Sequence, residues 1–190
     1  MSDNQIGTYK LIASPFHLDV RGKLSMGVLG KHLLNCADAY AAERGFDVVE
    51  QEGEHYTWVL SRLAIELEDL PSCHESFSIQ TWVENVYRLF ADRNFVICNK
   101  DEKPIGYVRS VWAMISMETR DPANLLSLYG DRITNSICEK ECPIAKPGRI
   151  KVSQQEALSE YVAKYSDLDI NGHVNSIKYI EHILDIFPLD

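Results

Sequence analysis

Long apolar runs are missing from this chain, and so is any excess of positive charge. No stretch approaches the ~20 residues a helix needs to cross a bilayer, which argues against a membrane protein. Met1-Ser-Asp-Asn-Gln-Ile-Gly7 has neither a basic start nor a hydrophobic stretch for export, so the expected compartment is the cytoplasm. Lys and Arg number 19 against 28 Asp and Glu, a net charge of -9. General nucleic-acid binding needs a basic face and is not expected. The five cysteines (Cys36, Cys73, Cys98, Cys138 and Cys142) are odd in number and scattered, a pattern of reduced thiols rather than of a disulfide framework. Cys138 and Cys142 are close in sequence but have no second ligand pair nearby, so no zinc site is expected. What is present is an ordinary globular composition, 45% apolar and 25% charged over 190 residues. That is enough for one sizeable core or two modest ones.

The chain writes one outline twice. With a shift of 150 residues, Leu168-Asp-Ile-Asn-Gly-His-Val-Asn175 falls on Leu18-Asp-Val-Arg-Gly-Lys-Leu-Ser25, with Leu, Asp and Gly identical. Read as an extended segment, the later copy sends Asp169, Asn171 and His173 to one face, with Asp167 beside them. The earlier copy has Arg21 and Lys23 in place of the amide and the imidazole. Only the second copy therefore collects an acid, an amide and an imidazole. Each turn runs into a helix that is apolar around most of its circumference, from Leu24 to Arg44 in the first copy and from Val174 to Phe187 in the second. Such helices must be largely enclosed.

Between the copies the pattern changes to strands. Tyr9 to Asp19 reads as a first strand, and three long β-rich runs follow: Tyr56 to Glu68, Ser76 to Glu84 continuing through Asn94 to Cys98, and Gly106 to Ser116. Asp69-Leu-Pro-Ser72 and Asn99-Lys-Asp-Glu-Lys-Pro104 carry turn chemistry between them. A nearly all-apolar helix followed by long antiparallel strands implies an α+β fold, a curved antiparallel sheet wrapped around a central helix. Leu126 to Pro147 reads as a linker with a short helix, and Arg149 to Val162 as the approach strand of the second copy. This divides the chain into an N-terminal unit at 1–128, a linker at 129–150 and the start of a second unit at 151–190. The second helix meets the end of the sequence with no strands to cover it, so we expect either further residues beyond Asp190 or a covering partner surface.

These segments together resemble the hot-dog thioesterases, and more narrowly the acyl-acyl carrier protein (acyl-ACP) thioesterases with two hot-dog units in one chain. The resemblance rests on Ser166-Asp-Leu-Asp-Ile-Asn-Gly-His-Val-Asn-Ser-Ile-Lys-Tyr-Ile180, on Tyr56-Thr-Trp-Val59 followed by Asp69-Leu-Pro71 and Thr81-Trp82, and on Ser110-Val-Trp-Ala-Met-Ile-Ser-Met-Glu-Thr-Arg120. It implies two tandem hot-dog copies, the second incomplete here, with Asp169, Asn171 and His173 at the family's catalytic positions. It also implies a further Glu or Cys beyond the last residue, and no cofactor or metal. The implied reaction is hydrolysis of acyl-ACP to free fatty acid and carrier in fatty acid biosynthesis. Its alternatives are an acyl-coenzyme A thioesterase of the same superfamily and a non-catalytic acyl-binding module. Pairing of hot-dog units implies a homodimer or a pseudo-dimer within the chain. A carrier that is itself acidic calls for a local basic patch, for which Arg132, Lys140, Lys146, Arg149 and Lys151 are the candidates.

Blander readings stand beside these. Asp, Asn-Gly and a histidine before a helix are also ordinary turn and cap chemistry, although a turn alone does not require this trio. Trp58, Trp82 and Trp112 read first as core and second as lining of an acyl tunnel. A Cys-His-Asn nucleophile is disfavoured, because no cysteine sits in a recognisable nucleophile setting.

Overall fold

The computed structural model describes residues 5–51, 53–150, 159–170 and 172–187. Its centre is helix α1, Met26–Glu43, which begins where the Ser25 hydroxyl accepts a hydrogen bond from the Val28 amide. Leu29, Leu33, Cys36 and Ala37 leave α1 to meet Phe77, Ile79, Phe95, Ile97 and Val108 from the sheet, and the buried cluster so formed is the main core. A second cluster continues it toward the other end of the helix, where Tyr40, Ala41 and Phe46 meet Val83, Ala91 and Met114.

The sheet has six strands in the order β1-β4-β5-β6-β3-β2. They are β1 Gly7–Ile12, β2 Val49–Gln51, β3 Glu54–Leu67, β4 Ser76–Val86, β5 Ala91–Cys98 and β6 Pro104–Ser116, and every neighbouring pair is antiparallel. The register shifts between Leu60 and Arg62 and between Val83 and Asn85. Such irregularities bend strands, and the sheet curves round α1 as a hot-dog fold. Alternation sorts its two faces: Phe77, Ile79 and Val83 turn toward the helix side, while Trp82, Val96 and Cys98 form a cluster on the outer face.

Three elements differ from the sequence reading. The first strand ends at Ile12 and gives way to a 3-10 turn at Pro15–His17. The run from Ser76 to Cys98 is two strands, joined by a turn in which the Tyr87 amide donates to the Phe90 carbonyl. The stretch after Asn124, read as a linker with a short helix, carries two short helices packed against the first unit. It forms α2, Leu125–Tyr129, and α3, Asp131–Thr134, whose Leu125, Tyr129 and Ile133 are buried in the second cluster. The chain then crosses the outer sheet face. There Cys138, Cys142 and Ile144 cover Trp82, and the Trp82 indole N–H donates to the Lys140 carbonyl. Of the approach strand expected at Arg149 to Val162, residues 151–158 lie outside the described residues, and residues 159–162 form no strand.

The second copy repeats the first at its turn and helix. A 3-10 turn at Tyr165–Asp167 leads to helix α4, Ser176–Leu184, capped by Asn175, whose side chain accepts from the Ile177 amide. Helix α4 docks on α1 through Ile177, which is 1% exposed and sits over Gly30. A Cβ on Gly30 would lie 2.7 Å from two carbons of Ile177, so the absence of a side chain there is what lets the helices approach. On the opposite side Tyr179 and Ile183 are exposed. They occupy the positions of Leu29 and Leu33, which the sheet covers in the first copy.

Candidate active site

Residues 168–170 and 172–174 do not form an extended strand. Leu168 and Val174 form an antiparallel bridge, the Asp169 amide donates to the His173 carbonyl at 2.7 Å, and Gly172 adopts φ 73°. The Asp169 carboxylate accepts the His173 amide at 3.0 Å. The first copy folds the same way: Leu18 bridges Leu24, the Asp19 amide donates to the Lys23 carbonyl at 2.7 Å, Gly22 has φ 73°, and the Asp19 carboxylate accepts the Lys23 amide at 3.2 Å. Asp, a polar residue and a glycine able to take positive φ specify this tight turn, and that local chemistry overrides an alternating strand. Asp169 and His173 nevertheless face one cavity. Asn171 lies outside the described residues.

The copies diverge in what the turn presents. In the first, Arg21 folds onto Asp19, with Nη2 at 2.7 Å from Oδ2, and Lys23 pairs with Asp69 at 2.8 Å. Desolvation works against ionisation of Asp19, but the Arg21 bonds outweigh it and hold the carboxyl below its ordinary value. In the second, His173 stands where Lys23 stood and reaches Arg120, whose Nη1 lies 2.9 Å from His173 Nε2. Asp167 sits behind the turn, 2% exposed. It accepts the Lys164 amide and the Tyr161 hydroxyl, both at 2.8 Å, and lies 3.3 Å from His182 Nε2. The Lys164 amide, with the Tyr161 hydroxyl, keeps the Asp167 carboxyl below its usual range. Asp167 therefore braces the turn and does not line the cavity.

The cavity encloses about 500 Å³ between the two copies. Its apolar wall comes from the first copy, including Trp58, Val59, Leu60, Trp112, Ile115 and Phe46, and its polar rim comes from Asp169, His173, Asn175 and Ser176 with Arg120 opposite. Trp58 and Trp112 are thus cavity wall, while Trp82 belongs to the outer cluster. Two cations that sequence reasoning passed over line the same space, Arg93 and Arg120. Arg93 is 6% exposed, with its guanidinium 4.6 Å from the centre of the Tyr40 ring and Nη1 3.4 Å from the Thr81 hydroxyl. Burial pushes it down to about 10. Its signal was register: Ala91, Arg93, Phe95 and Ile97 alternate, and the other three are core residues. Arg120 carried no such signal, since its reach to His173 spans 53 residues.

Of the candidate basic patch, Lys146 pairs with Glu84 and Asp92, Lys140 donates to Gln80 over the Trp82 ring, and Arg132 lies over Tyr129. Lys151 lies outside the described residues. All five cysteines are free, and among the described residues no group of His, Cys, Asp or Glu is arranged to hold a metal ion. Among the described residues no helix is long and apolar enough to cross a membrane.

Two family models match the chain. The acyl-ACP thioesterase N-terminal domain covers residues 9–131 and the acyl-ACP thioesterase C-terminal domain residues 150–190. A crystal structure of an acyl-ACP thioesterase from Bacteroides thetaiotaomicron is 60% identical with a TM-score of 0.90, covering 100% of this chain and 76% of that one. The 12:0-ACP thioesterase from Umbellularia californica is 16% identical with a TM-score of 0.77, covering 97% of this chain and 75% of that one, and supports the fold alone. A palmitoyl-acyl carrier protein thioesterase from Gossypium hirsutum is 26% identical over 162 residues, which make up 82% of this chain and 39% of that protein. The chain thus spans about two fifths of the length of this plant relative. Matched in both of its halves by the two domains of one family, the chain belongs to the acyl-ACP thioesterases.

Proposed function

We propose that the chain provides the acyl pocket and the hydrolytic entrance of a thioesterase that converts acyl-ACP to free fatty acid and carrier protein in fatty acid biosynthesis. The observation that carries this reading is the division of one cavity: an apolar wall from the first copy and a rim holding Asp169 and His173 from the second. An acyl chain fits the wall, and its activated carbonyl comes to the rim.

In this reading Asp169 orients a water and takes its proton as the oxygen attacks the thioester carbon. The carbonyl electron pair moves to oxygen, where the His173 ring, the Asn171 amide and the N-terminal amides of α4 supply donors. Collapse expels the carrier thiolate, which takes up a proton to leave the thiol, and the acid departs. A thioester is a reactive acyl donor, and the chemistry asks for no metal. Of the two units proposed on either side of residues 129–150, the first selects the chain and the second performs the reaction. They pair within the chain as a pseudo-dimer, with a homodimer as the alternative that sedimentation distinguishes.

The test is thiol release from the same acyl group carried on ACP and on coenzyme A. Faster release from ACP supports the proposal, and faster release from coenzyme A moves the protein to the alternative substrate. Binding of acyl-ACP without release of either thiol would make it a non-catalytic acyl-binding module.

A further inference from the structure

His173 is held from outside its own turn, and the residue that holds it limits what it can do. A guanidinium carries five N–H donors and no acceptor, so a bond between Arg120 Nη1 and His173 Nε2 at 2.9 Å requires a lone pair on Nε2. The ring is then neutral with its proton on Nδ1, because the hydrogen bond made by one imidazole nitrogen sets the state of the other.

The turn that presents Arg120 is itself tightly built. Ser116, 2% exposed, accepts the amides of Glu118 and Thr119 at its hydroxyl and donates to the Glu118 carboxylate. The Glu118 carboxylate also receives the His55 amide, and the Arg120 amide returns to the Ser116 carbonyl at 3.0 Å. Arg120 adopts φ 68°, a left-handed conformation that a long side chain takes only when its surroundings enforce it. Among the described residues no carboxylate lies within ion-pair distance of its guanidinium. The charge at the end of β6 is therefore directed at the second copy's imidazole rather than at an acid of its own.

We propose that Arg120 is a positioning residue that fixes His173 as the neutral Nδ1–H tautomer. With Nε2 occupied, the ring has no free lone pair and one proton to give, so His173 serves the developing oxyanion as a donor. The base that takes the proton from water is then Asp169. The first copy can make no counterpart, since Lys23 replaces the imidazole and turns to Asp69. The role in turnover rests on the hydrolytic reading above, whereas the tautomer does not.

The test is a long-range proton–nitrogen NMR correlation of histidine-labelled protein above about pH 8, where imidazole is neutral. The His173 signals are assigned by their loss in His173→Gln. The wild type is expected to show protonated Nδ1 and bare Nε2, Arg120→Met to shift toward protonated Nε2, and Arg120→Lys, which keeps a charged donor, to retain the wild-type pattern. A proton on Nε2 in the wild type overturns the proposal whatever the variants do, as does an unchanged pattern in Arg120→Met. In the thiol-release assay Arg120→Met should lose about tenfold or more in kcat with KM little changed, and Arg120→Lys should recover most of it. A raised KM with kcat intact would make Arg120 a substrate contact instead. A wild type with the Nδ1–H ring and no turnover would sink the hydrolytic reading and leave the hold of Arg120 on His173 standing.

Discussion

Replacing Gly30 by alanine puts a methyl group into the seam between the two copies. In an exposed helix the exchange gains about 1 kcal/mol from propensity alone. Here the new Cβ would meet Cδ1 and Cγ2 of Ile177 at 2.7 Å and Cγ1 at 2.9 Å, and Ile177 is 1% exposed with little room to retreat. Overpacking of that kind costs about 1–3 kcal/mol, so the net change should lie between about zero and 2 kcal/mol destabilising. Ile177→Ala alone should lose about 2–5 kcal/mol. In that background the methyl group at position 30 has space, and Gly30→Ala should become stabilising by about 1 kcal/mol. The sign change gives a coupling of about 1–3 kcal/mol, readable from urea midpoints at constant slope together with amide exchange across 176–184. Gly27 is the internal control. The three atoms nearest to a Cβ there all belong to the Glu181 side chain, which can swing away at the expense of its ion pair with Lys178. If Gly30→Ala stabilises equally with and without Ile177, α4 is not seated on α1 and the cavity between the copies loses its rim.

Two further outcomes follow from buried charges. Burial lowers the Arg93 guanidinium from its ordinary value to about 10, which corresponds to roughly 3 kcal/mol of unfavourable burial that is present at neutral pH and eases as the pH rises through 10. Arg93→Met should therefore leave stability between unchanged and about 3 kcal/mol higher by urea denaturation at pH 7, and a loss beyond about 1 kcal/mol would contradict the reasoning. Glu84 is desolvated, yet its bonds to Asn94, Lys146 and Arg109 outweigh that and keep its carboxyl below 4.5. Its stabilisation is complete above 4.5 and lost as the pH falls through the lowered value. Glu84→Gln should be about 1–2 kcal/mol less stable at pH 7, and the gap from wild type should close in acid. A gap independent of pH would show that the carboxylate charge is not what matters there.

The repeat, the enclosed first helix and the long strands were legible because each is local: a shared turn pattern, a 3.6-residue apolar period and β-rich runs between turn residues. The turn at 168–174 was legible in residue type but misjudged in shape. Asp169 and His173 reach one cavity because the turn folds back between them, and not because a strand alternates. The packing of 125–144 was only partly legible, since Leu125, Tyr129 and Ile133 keep a four-residue helical spacing that Gly130 interrupts, while Cys138, Cys142 and Ile144 do not continue it. Their burial is decided by partners such as Val83 and Trp82, far away in sequence. The join of β4 to β5 escaped notice because Tyr87-Arg88-Leu89-Phe90 contains none of the usual turn formers. Arg120 was hidden for the most basic reason: its partner belongs to the other copy.

The duplicated turn offers its own control for the claim that only one copy carries chemistry. Asp19 and Asp169 each accept the amide four residues on, at 3.2 and 3.0 Å, so Asp19→Ala and Asp169→Ala remove the same backbone hydrogen bond, worth about 1 kcal/mol. Measured side by side for acyl-ACP hydrolysis, Asp19→Ala should keep wild-type turnover while Asp169→Ala loses at least a factor of about 100. Equal turnover in the two variants would contradict the assignment of the reaction to the second copy.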